Sequence, residues 1–574
     1  MGTVAENMIA TLKANGVKRI YGVAGDSLNG LTDALRKDGS VSWLGVRHEE
    51  SAAFAAGAEA EMTGNLAVCA GSCGPGNLHL VNGLYDANRN RVPVLAIAAH
   101  IPSSEIGSNY FQETHPAELF REASVFCEVV STPDQMPRLL EIAMRTAIER
   151  RGVAVLVMPG DVALAQATGT RTSVITASRS AVLPHPEDLA LAAGLLNAGR
   201  RVTILAGAGV AGAHAQVMEI ADLLGAPVVH ALRGKEHIEY DNPYDVGMTG
   251  LLGFASGYRA MDAADTILLL GTDFPYQQFY PQDAKIIQVD VRGEQLGRRT
   301  KIDAGLVGTV ADTLEVLAPL LGRKTDTTHL QDAQKHYRKT REKLDDLATP
   351  TRKGTRIHPQ YLARTLDKLA DEDTVFLADV GSPVVWAARY LTMNGKRRLL
   401  GSFSHGSMAN SIPQAIGVQA AHPERQVVTL SGDGGLAMLM GDLLTLVQSK
   451  LPVKIVVFNN SSLNFVELEM KAAGFVTFAT DLENPNFADV ATALGIRGFR
   501  VENSKDLPGA LREALAHEGP ALIDVVTDRQ ELSMPPAITA EQAKGFALYA
   551  IRTVMSGKGD ELLDLAATNW RQLF

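Results

Sequence analysis

Short β-branched, apolar runs alternate along this chain with stretches whose apolar residues recur every three or four positions. Toward the amino terminus the runs fall at 19–23, 41–46, 66–70, 94–98 and 154–158, with helical patterns between them. That alternation predicts parallel strands, because each parallel pairing needs a crossover long enough to return to the same edge. A Ser-, Thr- and Ala-rich stretch without periodicity, 166–186, predicts a linker. The alternation resumes at 202–205, 228–230, 266–270 and 286–289 and ends near Leu321. The charged run 322–356, helical in pattern over 334–347, predicts a solvated helix and a connector. A third such region spans about 357–526, and its first strand, 374–378, ends in Asp379-Val380-Gly381. Beyond Leu532 there is no strand pattern.

The expected fold class is therefore α/β, with three parallel-sheet domains at 1–180, 181–340 and 341–530 and a helical C-terminal tail at 531–574. At 574 residues the chain is too long for one hydrophobic core. The first and third regions share a size and a βαβ character, which fits an old internal duplication.

One βαβ unit in the third region concentrates the candidate chemistry. Its first run, 427–430, stops at Gly432-Asp433-Gly434; a helical pattern follows over 436–448; a second run, 453–458, stops at Asn459-Asn460. The crossover brings both polar tips to the carboxyl edge of the sheet, where open α/β sheets bind ligands. Asp433 and Asn460, 27 positions apart, then offer one charged and one neutral oxygen. That pair, with room for a carbonyl and water, suits Mg²⁺, which keeps water and prefers substrate phosphates to an all-protein cage. The glycines beside Asp433 let backbone approach a phosphate, and the following helix start offers unpaired N–H groups.

Other strand ends are less specific. Arg47-His48-Glu49-Glu50 opens an alanine-rich helix, and acids in a first turn complement the helix dipole. Gly71–Asn77 is a glycine-rich turn between strand and helix. Gly207 to Gly212 carries a G-x-G, weak evidence for a nucleotide by itself, and Asp290 ends a strand where an acid suits ribose hydroxyls.

Composition narrows the class. With 46% hydrophobic and 21% charged residues the chain reads as an ordinary globular protein, and a formal net charge of -10 argues against nucleic acid as its main partner. Cys69, Cys73 and Cys127 lack metal-finger spacing and predict reduced thiols in a cytoplasmic protein. The amino-terminal pattern lacks a signal peptide's apolar block, and no apolar run reaches the length of a membrane span.

Gly432-Asp433-Gly434 through Asn459-Asn460 resembles the diphosphate–magnesium signature of the thiamin-diphosphate-dependent enzymes. The resemblance implies Asp433, Asn460 and the Ser462 carbonyl as Mg²⁺ ligands, with Gly434 and Gly435 against the thiamin diphosphate. It implies that Glu49 hydrogen-bonds the aminopyrimidine ring and that Glu50 is structural. The Gly406 carbonyl would take the ring's amino group, with Ser407 beside it and Met408 as the bulky side chain that bends the cofactor.

The runs 231–253 and 72–116 resemble the quinone-dependent pyruvate oxidase branch of that family, and the likeness extends over essentially the whole chain. It implies FAD held by Thr249, Gly250, Leu251 and Leu252, by Thr272, Asp273, Phe274, Pro275 and Tyr276, and by Asp290. It implies pyruvate as substrate, ubiquinone as acceptor, and a homotetramer with each thiamin site built between two subunits. Phe111, Gln112, Val380 and Phe465 would border the reacting carbon, and Asn464 stands where a smaller residue is expected. An acetolactate-synthase-like carboligase, a phosphate-using oxidase making acetyl phosphate and a catalytically silent regulatory subunit are alternatives on the same scaffold. In the tail, Leu562, Leu563, Ala566, Trp570 and Leu573 share a helical face, with Asp560, Glu561, Asp564 and Arg571 off it. That face suits either a helix docked on its own protein or a peripheral lipid anchor at the inner face of the bacterial cell membrane.

Overall fold

The computed structural model describes residues 2–169, 172–176, 181–351, 355–531 and 540–555, together with Leu562, Leu565, Thr568 and Asn569. Eighteen strands form three six-stranded sheets, every pairing parallel. The first sheet holds β1 (Arg19–Gly22), β2 (Ser42–Gly45), β3 (Ala67–Gly71), β4 (Val94–His100), β5 (Phe126–Val129) and β6 (Val153–Pro159) in the order β2-β1-β3-β4-β6-β5. The second holds β7 (Val202–Ala206), β8 (Val228–His230), β9 (Asp245–Met248), β10 (Thr266–Leu270), β11 (Lys285–Asp290) and β12 (Ala304–Val307), ordered β12-β11-β10-β7-β8-β9. The third holds β13 (Val375–Ala378), β14 (Arg398–Leu400), β15 (Val427–Gly432), β16 (Lys454–Asn459), β17 (Arg497–Val501) and β18 (Ala521–Val526), ordered β14-β13-β15-β16-β18-β17. The first and third sheets thus share one strand order, as a duplication requires.

Strands β5, β12, β17 and β18 have no counterpart among the expected runs. The first three lie at a sheet edge and are only partly buried, so their sequences mix apolar and polar residues. The fourth is interior and buried, an apolar run that the expected strands leave out. The central strands are buried on both faces and read as continuous apolar runs.

The first and third units share a core. The alanine-rich helix Glu49–Thr63 packs on helix Ser411–Ala421, and a Cβ on Gly417 would lie 2.0 Å from the Ala55 carbonyl oxygen. Only glycine opposite a run of alanines permits two backbones so close. The expected solvated helix is Thr328–Leu347, and it bridges units instead of standing free: Leu330 and Ala333 are buried, and Arg341 donates to the Arg389 carbonyl at 2.7 Å. Part of the expected linker is pinned as well, since Asn15 bonds the backbone of Ser173 and Ile175 at 2.7 Å each.

Helix Ala540–Met555 lies along helix Asn464–Ala472, with Arg552 donating to the Gly474 carbonyl at 2.5 Å and Asn569 to the Gln530 carbonyl at 2.6 Å. The described part of the tail is therefore docked on its own chain. Leu563, Ala566, Trp570 and Leu573, with Asp560, Glu561, Asp564 and Arg571, lie outside the described residues. Among the described residues no helix is long and apolar enough to cross a membrane.

Candidate active site

In the third sheet β14 lies on one side of β13 and β15 on the other, so the strand order reverses beside β13 and opens a crevice at the carboxyl edge. Val380 and Gly381 follow β13, Asp433 follows β15, and Asn460 follows β16, which pairs directly with β15. The helix after β15 begins at Asp433 itself and not at Leu436. It runs to Met438, breaks, and resumes as Leu443–Gln448. The break has a cause: Asp442 is buried and accepts the Arg47 N–H at 2.9 Å and the Ser51 hydroxyl at 2.5 Å, tying the crossover to the first unit.

Asp433 is 3% exposed. Its Oδ1 accepts the Gly434 N–H at 3.0 Å; its Oδ2 accepts the Ser461 N–H at 2.7 Å and the Asn484 side chain at 2.8 Å. Burial pushes this carboxyl above its ordinary range, against the pull of those N–H donors. Asn460 Oδ1 accepts the Ser462 N–H at 3.0 Å, and Ser461 between them holds φ 58°, a left-handed conformation in a non-glycine residue. A buried carboxylate, an amide oxygen and a carbonyl at adjacent strand ends form a hard, all-oxygen donor set. That set fits magnesium carrying a diphosphate.

A cavity of about 250 Å³ opens beside these donors. Val380, Gly406, Met408, Asp433, Gly434, Gly435, Asn460, Ser462, Asn464 and Phe465, all singled out in the sequence, come together in its lining, with Ser382 and Trp386 among the residues that were not. The Met408 methyl carbon would lie 3.4 Å from a Cβ on Gly434, which places this side chain between the pyrimidine-side loop and the diphosphate turn. A Cβ on Gly435 would lie 1.8 Å from Asp379 Oδ2, so no other residue fits. Burial pushes the Asp379 carboxyl up to about 7 against four backbone N–H donors. Asn464 accepts the Ser382 hydroxyl at 3.1 Å and donates to the Arg529 carbonyl at 2.7 Å, fixing the start of the helix that carries Phe465.

Glu49, Phe111 and Gln112 are not among the residues lining this cavity. They cluster at the first sheet's edge. Glu49 Oε2 lies 2.9 Å from His79 Nδ1, whose ring stacks on His48, and Gln112 Oε1 accepts the Cys73 thiol at 3.3 Å. Phe111 is 78% exposed. Glu50 accepts from Asn82 at 2.7 Å, and Asn82 also donates to the Ser407 hydroxyl at 2.9 Å. Asn82 thus ties the helix that Glu49 opens to the loop that carries Gly406 and Met408.

In the second sheet the order reverses between β7 and β10. Thr249, just past the edge strand β9, is buried and its hydroxyl has no hydrogen-bond partner. Asp290 accepts the Arg292 N–H at 2.9 Å, and burial pushes its carboxyl up. Asp273 pairs with Arg299 at 2.8 Å, and Phe274 is buried against Tyr276, Phe279 and Tyr280, so these two side chains hold the shape of their loop. Arg389, on helix Ser382–Tyr390, donates to the carbonyls of Leu252 and Gly253 at 3.0 and 3.2 Å. That contact fastens the loop after β9 to a helix whose first turn lines the cavity. Burial, and then the charge of Glu469, raise the Tyr276 phenol, which marks a second approach between the two regions.

Asn484 and Ser382 carried no signal in the sequence, since each is defined by what it touches and not by a local pattern; Asp379 was marked only as a strand end.

Profiles for the thiamine pyrophosphate enzyme N-terminal TPP binding domain, central domain and C-terminal TPP binding domain match residues 2–119, 189–317 and 379–525. The chain is 35% identical over 567 residues to a Bacillus subtilis (strain 168) protein named provisionally as thiamine pyrophosphate-containing protein YdaP, covering 98% of each. It is 29% identical over 529 residues to the pyruvate oxidase of Lactiplantibacillus plantarum, covering 90% of this chain and 87% of that protein. It is 30% identical over 544 residues to an acetolactate synthase of Mycobacterium bovis, covering 91% and 88%.

Proposed function

Because the chain belongs to the thiamine pyrophosphate enzyme family, we propose that it oxidises pyruvate and water to acetate and CO₂, passing two electrons through FAD to a quinone such as ubiquinone. Bound thiamin diphosphate supplies the nucleophilic carbon and the electron sink for decarboxylation, and bound FAD accepts the electrons. The remaining work belongs to this chain's residues. Asp433, Asn460 and the Ser462 carbonyl hold Mg²⁺, while Gly434 and Gly435 admit the diphosphate. Met408, close to Gly434, would brace the bound cofactor, and Glu49 would hydrogen-bond its pyrimidine ring and hold a proton there.

The observation that supports the oxidative reading is the likeness to a pyruvate oxidase over 90% of this chain. The apolar wall that Val380, Trp386 and Phe465 make beside the metal donors suits the small acyl group of pyruvate. The orphaned Thr249 hydroxyl after β9 and the buried Asp290 at the end of β11, on either side of the second sheet's reversal point, support FAD along this carboxyl edge, next to a loop that Arg389 fastens to the cavity wall. The location of Glu49, Phe111 and Gln112 outside the cavity supports a homo-oligomer, in our reading a tetramer, whose neighbouring copy supplies them. We further propose a cytoplasmic enzyme that reaches the inner face of the bacterial membrane through its C-terminal tail once that tail undocks. Its apolar positions, Leu562 among them, are the support.

Anaerobic addition of pyruvate to the holoenzyme tests the reaction. Bleaching of the flavin with release of CO₂ and acetate is the expected result; acetolactate with the flavin still oxidised would establish the carboligase instead. Acetyl phosphate formed only when phosphate is added would mark the phosphate-using oxidase. Co-sedimentation with lipid vesicles in the presence of pyruvate tests the tail, and a supernatant-only enzyme removes the membrane claim.

A further inference from the structure

Glu467 is 1% exposed, one turn into helix Asn464–Ala472. Its Oε2 accepts the Ser462 hydroxyl at 2.6 Å and Arg529 Nε at 2.9 Å, and its Oε1 accepts Lys471 Nζ at 2.7 Å. The three donors come from three segments: the turn after β16, the helix itself, and the chain after β18. Arg529 also pairs with Asp481 at 2.6 Å, and Asp481 lies in an antiparallel bridge with Ser462. The Leu482 N–H bonds the Ser461 carbonyl at 3.0 Å, so the segment around 481 is laid along the metal-binding turn.

That turn needs outside support. Ser461 at φ 58° is in a conformation that persists in a non-glycine residue only when its surroundings over-determine it. Magnesium, in turn, asks for near-ideal octahedral geometry, so a ligand carbonyl a few tenths of an ångström out of place is a poor ligand. We infer that Glu467 is a positioning residue for the magnesium site, acting through the hydroxyl of Ser462 to fix the direction of the Ser462 carbonyl. This rests on the reading that Asp433, Asn460 and Ser462 hold magnesium diphosphate. A buried carboxylate held by two cations and one hydroxyl is rigid, and that rigidity is transmitted one hydrogen bond away from the metal.

The test is binding, not turnover. Mg²⁺ is titrated into apo protein at fixed thiamin diphosphate, followed by calorimetry and by tryptophan fluorescence, to which Trp386 in the cavity lining contributes. Glu467→Gln keeps the shape and removes the charge; it should weaken Mg²⁺ binding roughly 10- to 100-fold, as loss of a supporting contact does elsewhere. Ser462→Ala should weaken it comparably, and the double variant no further, because both break one path. Wild-type affinity in Glu467→Gln, with Asp433→Ala still deficient, would overturn the inference. So would additive losses, which would make Glu467 a general prop of the fold. Wild-type affinity in Asp433→Ala would instead overturn the reading beneath it. If circular dichroism shows Glu467→Gln unfolded, Ser462→Ala decides alone, and undiminished Mg²⁺ affinity there overturns the proposal.

Discussion

Asn484 donates its side-chain N–H to Asp433 Oδ2 at 2.8 Å across 51 residues of sequence, and the same group donates to Asn459 Oδ1 at 3.0 Å. One amide thus spans the tips of β15 and β16 and sets the orientation of the carboxylate between them. With a metal on Asp433, this bond leaves one lone pair aimed at the cavity. Asp433→Ala should abolish magnesium–thiamin diphosphate binding, while Asn484→Ala should weaken it roughly tenfold. Calorimetric titration of the apo protein checks both; equal affinities for wild type and Asn484→Ala would show that Asp433 orients itself.

Glu49 does not line the cavity of its own chain, and under the proposed function a neighbouring copy supplies it. Glu49→Gln should retain cofactor binding and lose roughly 10²- to 10⁴-fold in kcat, the usual scale for a proton-transfer group. Co-expression of Glu49→Gln with Asp433→Ala, each inactive alone, should restore activity in mixed oligomers, since one of their sites then carries both wild-type halves. Mixed oligomers as inactive as either parent would place the whole site within one chain.

Arg389 is buried, its guanidinium brought down to about 10 by desolvation, and it holds the carbonyls of Leu252 and Gly253. Arg389→Met leaves both carbonyls without this donor, at roughly 1–3 kcal/mol each. The variant should lose flavin about tenfold or more readily than wild type while its thiamin diphosphate affinity changes little. Flavin absorbance per protein after gel filtration reads the outcome; unchanged flavin content would separate this loop from the flavin site.

His230 and Asp245 form a buried pair, Nε2 to Oδ1 3.7 Å. Burial, with the charge of Lys235 adding to it, brings the imidazole down to about 4. Burial, with Glu239 adding to it, pushes the carboxyl up to about 7. Between about pH 4 and 6.5 the unfolded chain binds more protons at the histidine, so stability rises with pH. Between 3.8 and about 7 the folded chain binds more at the aspartate, so stability falls with pH. The two slopes oppose each other in the wild type. Asp245→Asn should unmask the histidine's slope, up to about 1.4 kcal/mol per pH unit for one full proton. Urea unfolding of both proteins from pH 4 to 7 measures it; parallel profiles would mean the pair does not titrate this way.

Strands buried on both faces announce themselves as apolar runs, and so the centres of the first two sheets and β13, β15 and β16 of the third were legible, while the interior strand β18 was passed over. The edge strands β5, β12 and β17 were not, because half-exposure dilutes the pattern. The Asp433–Asn460 pair was legible because a βαβ crossover has one hand and must bring both tips to one edge. Asn464 shows the limit: the sequence marks it as unexpectedly large, and only the fold shows that its amide joins Ser382 to the Arg529 carbonyl.

By itself, then, the order of residues determined the sheets, the metal-facing tips and the alanine-rich helix, since each depends on local periodicity or on chirality along a short stretch. Tertiary structure alone decided that Asn484 reaches Asp433, that Asp379 packs against Gly435, and that Arg529 reaches Glu467 across 62 residues. Those facts are contacts between segments far apart in sequence. They depend on where packed sheets place their loops, which no local pattern encodes.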